Sequence, residues 1–352
     1  MHRHTSTTER QLETQSISTG CPDDPVLEES ALVGAEVRLL SVPAEWHGQR
    51  IDRALAALVP EFSRSHLQQL LQDGAVRWRG QTQAKASARV QAGDPIEIEL
   101  RPTAQASAFL PEPMGLDVVH EDEHLLVLHK PAGLVVHPAA GHWSGTLLNG
   151  LLAYHRGAAE LPRAGIVHRL DKDTSGLMLV GKTRLAVDAL VRAIAAREVS
   201  RQYLALAHGG WRGASPLDVD RPIGRDPHHR LRMAVVPGGK PARTTVVRLD
   251  SRDDACLVAC RLHTGRTHQI RVHLASLGHV LIGDAVYGGR PAFGLQRQAL
   301  HAASLGLAHP VHGGWLSFWS PPPPDMARAL SESGLRYNPP SPGHPLLADP
   351  VE

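Results

Sequence analysis

Residues 165–183 read GIVHRLDKDTSGLMLVGKT and place five charged or titratable side chains between the apolar runs GIV and GLMLV. The run GLMLV is short, apolar and typical of a buried strand. An Asp in a turn between two apolar segments most often caps that turn, and Asp171 alone would be interpreted in this way. The stretch therefore predicts either a structural turn or a catalytic one, and features elsewhere in the sequence are needed to distinguish them.

Strand-like and helical runs alternate on both sides of this stretch, from about residue 116 to residue 335. Strands are predicted at 124–130, 176–182, 201–208 and 254–262, and helices at 185–197 and 267–278. Several strands in succession favour an α+β fold around a mostly antiparallel mixed sheet. A last short helix is predicted in the run WSPPPPDMARAL.

An earlier module is predicted at 42–101. Apolar residues at helical spacing indicate one helix that Pro60 ends, and a second that Ser63 caps and that ends at Asp73-Gly74. The runs AVRWRG and DPIEIEL follow as short strands. The result is a small α/β module whose second helix presents Arg64, His66 and Gln68 outward.

Three segments are predicted to lie outside these domains. Residues 1–37 are polar, acidic and without periodicity, so we predict a disordered leader. Residues 102–115 are rich in Pro, Ala and Ser and are interpreted as a linker. Residues 336–352 are rich in Pro and are predicted to be a disordered tail.

Charge is distributed unevenly along the 352 residues. The chain carries +2 in total, with −5 in residues 1–37 and +7 after them, and 32 of its 37 basic residues are arginine. Arginine suits phosphate and base edges, although a GC-rich genome would also raise its content. Composition therefore only hints at a nucleic-acid partner.

Other classes of protein are disfavoured by the sequence. No run of eighteen apolar residues and no apolar signal segment occurs, so no membrane association is predicted and the chain is placed in the cytoplasm. Three cysteines are too few for a disulfide framework. Cys256 and Cys260 are interpreted as small buried side chains, because a zinc site needs about four ligands.

Polar clusters recur in the larger domain. They are LHKPAGLVVHPAAGHWSGTLLNGLL (128–152), the basic run RPIGRDPHHRLRMAV (221–235), HTGRTHQIRVHLASLGHVLIGDAVYGG (263–289) and RQALHAASLGLAHP (297–310). The tetrad HRLD is also similar to the catalytic loop of protein kinases, but the glycine-rich loop and the Asp-Phe-Gly motif of kinases do not accompany it.

Four blocks in order, GIVHRLDKDTSGLML, GRTHQIRVH, GDAVYGG and RQALHA, resemble those of the RluA-type RNA pseudouridine synthases, and the resemblance extends over 42–335. The run RIDRALAALVPEFSRSHLQQLLQDGAV resembles the S4 RNA-binding domain. The connection AFGLQ before RQALHA is short, which leaves in doubt any contacts that a longer loop makes in relatives.

The resemblance implies the reaction and the residues that perform it. Uridine loses its N1 glycosidic bond and rejoins through C5, which requires neither a metal nor a nucleotide cofactor. Asp171 is the implied nucleophile, Arg271 its partner, Tyr203 the aromatic against the flipped uracil, and Arg169 the residue that fills the vacated stack. His168 is interpreted as a structural residue that hydrogen-bonds the turn.

The resemblance also implies the RNA contacts and the partner. RNA contacts are expected from Arg266, from Arg225 and Arg230 in the basic run, and from Arg64, Ser65 and Gln68 in the S4-like module. The run IGRDPHHRLRMAV is most similar to family members that act on the large ribosomal subunit. We therefore expect a monomer acting on 23S rRNA, in its helix 69 stem-loop, or on the assembling subunit.

Two other function classes remain to be weighed. A non-catalytic RNA-binding or ribosome-assembly factor could use the same scaffold, but it would not need Asp171, Tyr203 and Arg271 together. A His/Asp hydrolase is disfavoured because the chain has no nucleophile elbow, and His268 and His273 are five residues apart, which does not match a zincin helix.

Overall fold

The computed structural model describes residues 36–100, 106–139, 141–229 and 232–338. The chain divides into two compact units, Met1–Pro102 and Thr103–Glu352. Within the described ranges, no helix has both the length and the apolar character that a membrane span requires.

The described residues of the first unit form an antiparallel four-stranded sheet, in the order β1-β4-β2-β3, and two helices. The elements are β1 (Glu36–Ser41), α1 (Ile51–Leu58), α2 (Arg64–Gln72), β2 (Val76–Trp78), β3 (Gln81–Thr82) and β4 (Pro95–Leu100). Leu55 and Leu67 are fully buried with Ile98 of the sheet. The Ser63 side chain accepts a hydrogen bond from the His66 backbone N–H, as its predicted role of N-cap requires.

Strand β1 corrects two predicted boundaries. The strand begins at Glu36 and pairs along its whole length with β4, so the leader does not extend to residue 37 and the module begins before residue 42. The sequence did not indicate this strand because its apolar residues do not mark a buried face: Val37 is 59% and Leu39 81% exposed. Backbone pairing with β4 holds the strand instead. Residues 1–35 of the predicted leader lie outside the described residues.

The described residues of the second unit form a nine-stranded sheet, in the order β5-β6-β7-β14-β8-β13-β12-β9 with β15 on β14, and a separate hairpin, β10-β11. Its strands are β5 (Asp117–Glu121), β6 (Leu125–Lys130), β7 (Ser175–Gly181), β8 (Ser200–His208), β9 (Leu217–Asp220), β10 (Ile223–Arg225), β11 (Met233–Val235), β12 (Arg243–Ser251), β13 (Ala255–Leu262), β14 (Leu300–His309) and β15 (Gly313–Trp319). Its α-helices are α3 (Leu147–Tyr154), α4 (Arg184–Ala195), α5 (Gln269–Ser276) and α6 (Pro324–Glu332). Among these strands, β7 and β14 pair in parallel and the other neighbours are antiparallel, which confirms the predicted α+β class with a mostly antiparallel sheet.

Apolar cores lie on both faces of the large sheet. Leu126 and Leu128 of β6 belong to one cluster of buried side chains, and the alternate residues Leu125 and Val127 belong to another. Because successive strand residues point to opposite faces, a strand covered on both faces must be continuously apolar. This explains the unbroken apolar run of β7, which is buried at every position.

The linker and tail predictions were wrong at the edges of the second unit. Ala106–Phe109 form a 3₁₀ helix, and Asn149 Nδ2 donates to the carbonyls of Ala108 and Leu110. At the other end, the Arg336 N–H donates to Asp250 Oδ2 at 2.7 Å. Both segments are therefore held by hydrogen bonds to the folded unit. Residues 101–105 and 339–352 lie outside the described residues.

The topology brings distant segments to one end of the sheet. The turn that carries Asp171 leads directly into β7, whose first residues pair with the start of β14. Gly176 sits at this junction with φ of +119°, and a Cβ there would lie 2.2 Å from the carbonyl oxygen of Ala302. Only glycine allows so close an approach, so the Ser-Gly that follows the Asp171 turn is a packing requirement.

Candidate active site

The Asp171 turn is held through its carbonyl oxygens. The Thr174 N–H donates to the Asp171 carbonyl at 3.0 Å, and the Gly133 N–H donates to the Lys172 carbonyl at 2.8 Å. Arg297 Nη1 donates to the Asp173 carbonyl at 3.0 Å. Three successive carbonyls of the turn thus have donors, which fixes the backbone from which the Asp171 side chain projects.

Lys130, at the end of β6, is a further donor to the carbonyls of this turn and is completely buried. Its Nζ donates to the carbonyls of Pro131, Leu134 and Lys172 at 2.8–2.9 Å. Burial lowers the pKa of Lys130 to about 8, against the opposing charges of Asp173 and Asp171. Three carbonyl acceptors satisfy the three ammonium protons, so this lysine joins the Asp171 turn to the loop after β6.

Arg297 is the second cation on the turn. Its Nε and Nη2 bind the carboxylate of Asp325, at the start of α6, at 2.7 and 3.0 Å. The neighbouring residue Gln298 donates through Nε2 to Thr174 Oγ1 at 2.8 Å. The block RQALHA therefore supports the Asp171 turn from the side of β14.

The predicted pair of Asp171 and Arg271 is formed. Arg271 Nη1 lies 2.9 Å from Asp171 Oδ2, and the Arg271 side chain is 4% exposed. Its Nε and Nη2 bind both oxygens of Asp284, which is itself buried, at 2.7 and 2.8 Å. Burial alone would lower the pKa of Arg271, but the hydrogen bonds and charges of Asp284 and Asp171 raise it. Arg271 is thus a fixed cation rather than a solvated helix-surface arginine.

Asp171 itself is placed between interior and surface. Its side chain is 21% exposed, while Arg271 beside it is almost fully buried. The oxygen Oδ2 is engaged by Arg271, and Oδ1 lies 4.0 Å from His268 Nε2, beyond hydrogen-bond distance. Arg271 therefore holds one oxygen of a carboxylate that is partly exposed, and His268 makes no hydrogen bond to the other oxygen.

His268 and Tyr287 complete the surroundings of this pair. His268 has the left-handed backbone conformation (φ 56°) immediately before α5. Its Nδ1 lies 2.9 Å from the Tyr287 hydroxyl, and the guanidinium carbon of Arg271 lies 5.0 Å from the centre of the Tyr287 ring. Burial lowers the pKa of His268.

Gln269 orders the loop that carries Arg266. Its Oε1 accepts from Thr264 Oγ1 and from the Arg266 N–H, and its Nε2 donates to the carbonyl of Arg243. The Arg266 side chain is partly exposed and its Nε donates to the Pro241 carbonyl at 3.1 Å. The remaining donors of this guanidinium are the ones that a phosphate would use.

The predicted site residues near Asp171 differ in exposure. Arg169 is exposed, whereas Leu170 is buried in the core. Tyr203, on β8, is 6% exposed, and burial raises its pKa to about 12. His168 accepts through Nε2 from the Leu179 N–H at 2.9 Å, so its partner is strand β7 rather than the turn itself.

The basic run near residue 225 forms the hairpin β10–β11. Arg225, at the end of β10, is exposed. Residues 230 and 231 lie outside the described residues, so the predicted RNA contact Arg230 has no structural account. The hairpin is joined to the site because the Met233 N–H donates to the Tyr287 hydroxyl at 3.0 Å.

The predicted contacts in the first unit need one correction. Arg64 Nη2 and Gln68 Nε2 donate to the buried carboxylate of Asp52 at 2.7 and 2.6 Å, so the Gln68 amide is not presented outward. Arg50 binds the same carboxylate. Burial raises the pKa of Asp52, but these donors hold it well below its usual range. Arg64 keeps a side chain 43% exposed, and Ser65 is exposed with its hydroxyl 3.0 Å from that of Ser63.

Several residues of the site were not predicted, among them Lys130, Asp284, Tyr287 and Arg297. The sequence carried a signal for Asp284. This residue is a carboxylate in the block GDAVYGG, shortly after Arg271, and a tight turn follows it. Cys256 and Cys260 are fully buried, as predicted. Within the described ranges, no group of three His, Cys, Asp or Glu side chains is placed to hold a metal ion.

Comparison with known proteins shows which proteins the chain is similar to. The family described as RNA pseudouridylate synthase matches residues 124–276. A protein of Neisseria meningitidis serogroup A named "Ribosomal large subunit pseudouridine synthase D" is 47% identical over 315 residues, covering 84% of this chain and 83% of the relative. The protein of the same name from Nitrosomonas europaea is 46% identical over 302 residues, covering 84% and 87%.

Solved structures share the fold. The structure titled "Human RNA Pseudouridylate Synthase Domain Containing 1" is 28% identical, has a TM-score of 0.50, and is matched over 62% of this chain and 90% of that one. The fold and the site together define the class as RNA uridine isomerases. Within that class, the chain belongs to the RluA-type family of RNA pseudouridine synthases.

Proposed function

We propose that this enzyme converts uridines of 23S rRNA, in the helix 69 stem-loop, to pseudouridine, with Asp171 as the nucleophile. The observation that carries the proposal is the contact of a partly exposed Asp171 with the buried cation Arg271, at 2.9 Å. The names of the relatives, which refer to the large ribosomal subunit, support the choice of 23S rRNA.

Arg271 has a defined electrostatic task in this proposal. Removing a carboxylate from water disfavours its ionised form, and an adjacent cation offsets that cost. Asp284 occupies two donors of Arg271, so the guanidinium cannot rotate away from Asp171. Arg271 is therefore already in place beside the carboxylate when a nucleotide displaces water from the site.

The reaction breaks the bond between N1 and C1′, turns the uracil, and forms a bond between C5 and C1′. The C5 proton leaves and N1 ends protonated, so no external reductant, oxidant or water is consumed. The ionised carboxylate is required whether it adds to C1′, adds to the uracil ring, or removes a sugar proton to give a glycal. All three routes need a carboxylate oxygen that the nucleotide can reach, and the partial exposure of the Asp171 side chain supports this.

The substrate uridine must leave its stack before it reaches Asp171, at a cost of a few kcal/mol. We assign Tyr203, on β8, to the flipped uracil, since stacking on an aromatic ring is worth about 1–3 kcal/mol. We assign the exposed Arg169 to the vacated space, next to Asp171 in the chain. Backbone phosphates would be bound by Arg266 and by Arg225 with Arg230.

The first unit is proposed to dock RNA as an S4-like domain. Its sequence pattern supports this, as does the presence of Arg50 and Arg64, both about two-fifths exposed, on one buried carboxylate. Cations fixed in this way bind phosphate with little loss of side-chain entropy. We further propose that the enzyme acts as a monomer in the cytoplasm, on 23S rRNA or on the assembling subunit.

A reconstituted reaction tests the proposal. The purified chain is incubated with unmodified 23S rRNA transcript, and pseudouridines are mapped by carbodiimide labelling and primer extension. We expect stops at uridines of helix 69, and none with 16S rRNA transcript as the matched control. If pseudouridine formed only in the 16S rRNA transcript and not in 23S rRNA, the proposed substrate would be refuted. If rRNA from cells with and without the protein carried the same pseudouridines, its proposed role in those cells would be refuted.

A further inference from the structure

Tyr287 lies between the proposed RNA-docking hairpin and the catalytic pair. Its hydroxyl accepts the Met233 N–H of β11 at 3.0 Å and lies 2.9 Å from His268 Nδ1. Its ring packs beneath the Arg271 guanidinium, and its own backbone N–H lies 3.4 Å from Asp284 Oδ1. The half-buried Tyr287 side chain thus contacts β11, His268 and Arg271, and the Tyr287 backbone contacts Asp284.

The direction of these hydrogen bonds determines the proton on His268. A tyrosine hydroxyl has one proton and acceptor lone pairs, and a backbone N–H can only donate. Met233 occupies one lone pair of the hydroxyl, and in this arrangement the hydroxyl proton is available for donation to His268 Nδ1. Burial keeps the His268 ring neutral at pH 7 by lowering its pKa, so its single proton then sits on Nε2.

The position of the His268 proton also affects Asp171, the proposed nucleophile. Nε2 is the nitrogen of His268 that faces Asp171, 4.0 Å from Oδ1. A proton on Nε2 presents a positive edge to Oδ1, the carboxylate oxygen that Arg271 does not bind, whereas a proton on Nδ1 would leave a lone pair on Nε2 that repels Oδ1. The tautomer of His268 therefore biases the orientation of the Asp171 carboxylate.

We propose that Tyr287 is a positioning residue that connects the hairpin β10–β11 to Asp171, through the chain Met233 N–H, Tyr287 hydroxyl, His268 imidazole. The proposal rests on the proposed roles of Asp171 and of the hairpin. RNA bound to the hairpin holds the Met233 backbone in place, and Tyr287 converts that restraint into a fixed His268 tautomer. Binding energy at a remote part of the substrate is thereby used in the chemical step.

The variant Tyr287→Phe tests this with the loss of one oxygen atom. We expect kcat on 23S rRNA transcript to fall about five- to tenfold, the effect of one lost hydrogen bond, with KM within about twofold of the parent. The matched control is Tyr154→Phe, which removes an exposed hydroxyl bonded to Glu121 and should leave both constants unchanged. Nitrogen NMR of ¹⁵N-histidine-labelled enzyme should show His268 Nδ1 unprotonated in the parent and mixed tautomers in Tyr287→Phe.

Two results would overturn the proposal. The first is a kcat within twofold of the parent in a folded Tyr287→Phe enzyme, and the second is a protonated His268 Nδ1 in the parent. If Tyr287→Phe does not fold, His268→Asn replaces it, since Asn tolerates the left-handed backbone. His268→Asn should lower kcat at unchanged KM, and an unchanged kcat would count against the relay. Full activity of Asp171→Asn, in contrast, would refute the nucleophile and not the connection.

Discussion

Arg271 and Asp171, one hundred residues apart in the chain, meet with Nη1 and Oδ2 2.9 Å apart. The contact depends on a third residue, because Asp284 holds the other two donor positions of the guanidinium. Asp171 is the partly exposed member of this triad and the two others are buried. In the proposed mechanism the partly exposed Asp171 performs the chemistry, and the two buried residues fix its geometry.

Asp284→Asn should impair both activity and stability. Loss of one charge leaves Arg271 buried with a single partly exposed counter-ion, and breaking a buried pair costs on the order of 3 kcal/mol. We expect kcat to fall at least tenfold, and we expect the free energy of unfolding in urea to decrease by about 3 kcal/mol. The matched control is Asp188→Asn, which breaks the exposed Arg184–Asp188 pair and should change stability by less than about 0.5 kcal/mol. Equal changes of kcat and of unfolding free energy in Asp284→Asn and Asp188→Asn would contradict the role of Asp284.

Arg64→Gln tests RNA docking by the first unit. Each neutralised phosphate contributes about one to the slope of log K against log salt, so we expect that slope to decrease by about one and affinity for 23S rRNA to weaken. Since Asp52 would lose an ion partner, urea unfolding must show that the first unit remains folded. Arg184→Gln, which removes an exposed arginine from α4, is the control. An unchanged salt slope would argue against an RNA contact at Arg64.

His168 gives the stability of the protein a defined dependence on pH. Burial lowers the pKa of His168 to about 3, from 6.5 in the unfolded chain. Between these two pKa values the unfolded state binds the proton and the folded state does not. The contribution of neutral His168 to the free energy of unfolding is therefore fully present above pH 6.5. It decreases on acidification by up to about 1.4 kcal/mol per pH unit. His168→Gln retains an acceptor for Leu179 and should show a shallower decrease of unfolding free energy between pH 6.5 and 4. Parallel curves for the two proteins would contradict this account.

The sequence predicted the pair of Asp171 and Arg271 through a family resemblance, and it could not predict the buried groups that hold this pair in place. In the sequence itself, both residues only stand out in charged clusters beside apolar runs, and the resemblance to the RluA-type family implied their roles. Lys130 looked like the polar end of a strand, because nothing local shows that three carbonyls from two separate loops surround its ammonium group. Tertiary contacts of this kind exist only in the folded chain.

The boundaries of the domains show the same limit. Strands such as β7 were predicted because burial on both faces leaves an apolar run in the sequence. Strand β1 was not, since its stability comes from backbone hydrogen bonds with β4 and its side chains are largely exposed. The orientation of Gln68 toward Asp52 was likewise hidden, because helical spacing places a residue on a face but does not reveal a buried carboxylate there.

The replacement Asp171→Asn tests the central claim most directly, because it removes one charge and keeps the size of the side chain. The measurement is single-turnover pseudouridine formation on 23S rRNA transcript, with RNA affinity and urea unfolding measured on the same preparation. The account predicts no detectable pseudouridine, with affinity and stability close to those of the parent. Pseudouridine formation at the parental rate by a folded Asp171→Asn enzyme would contradict it.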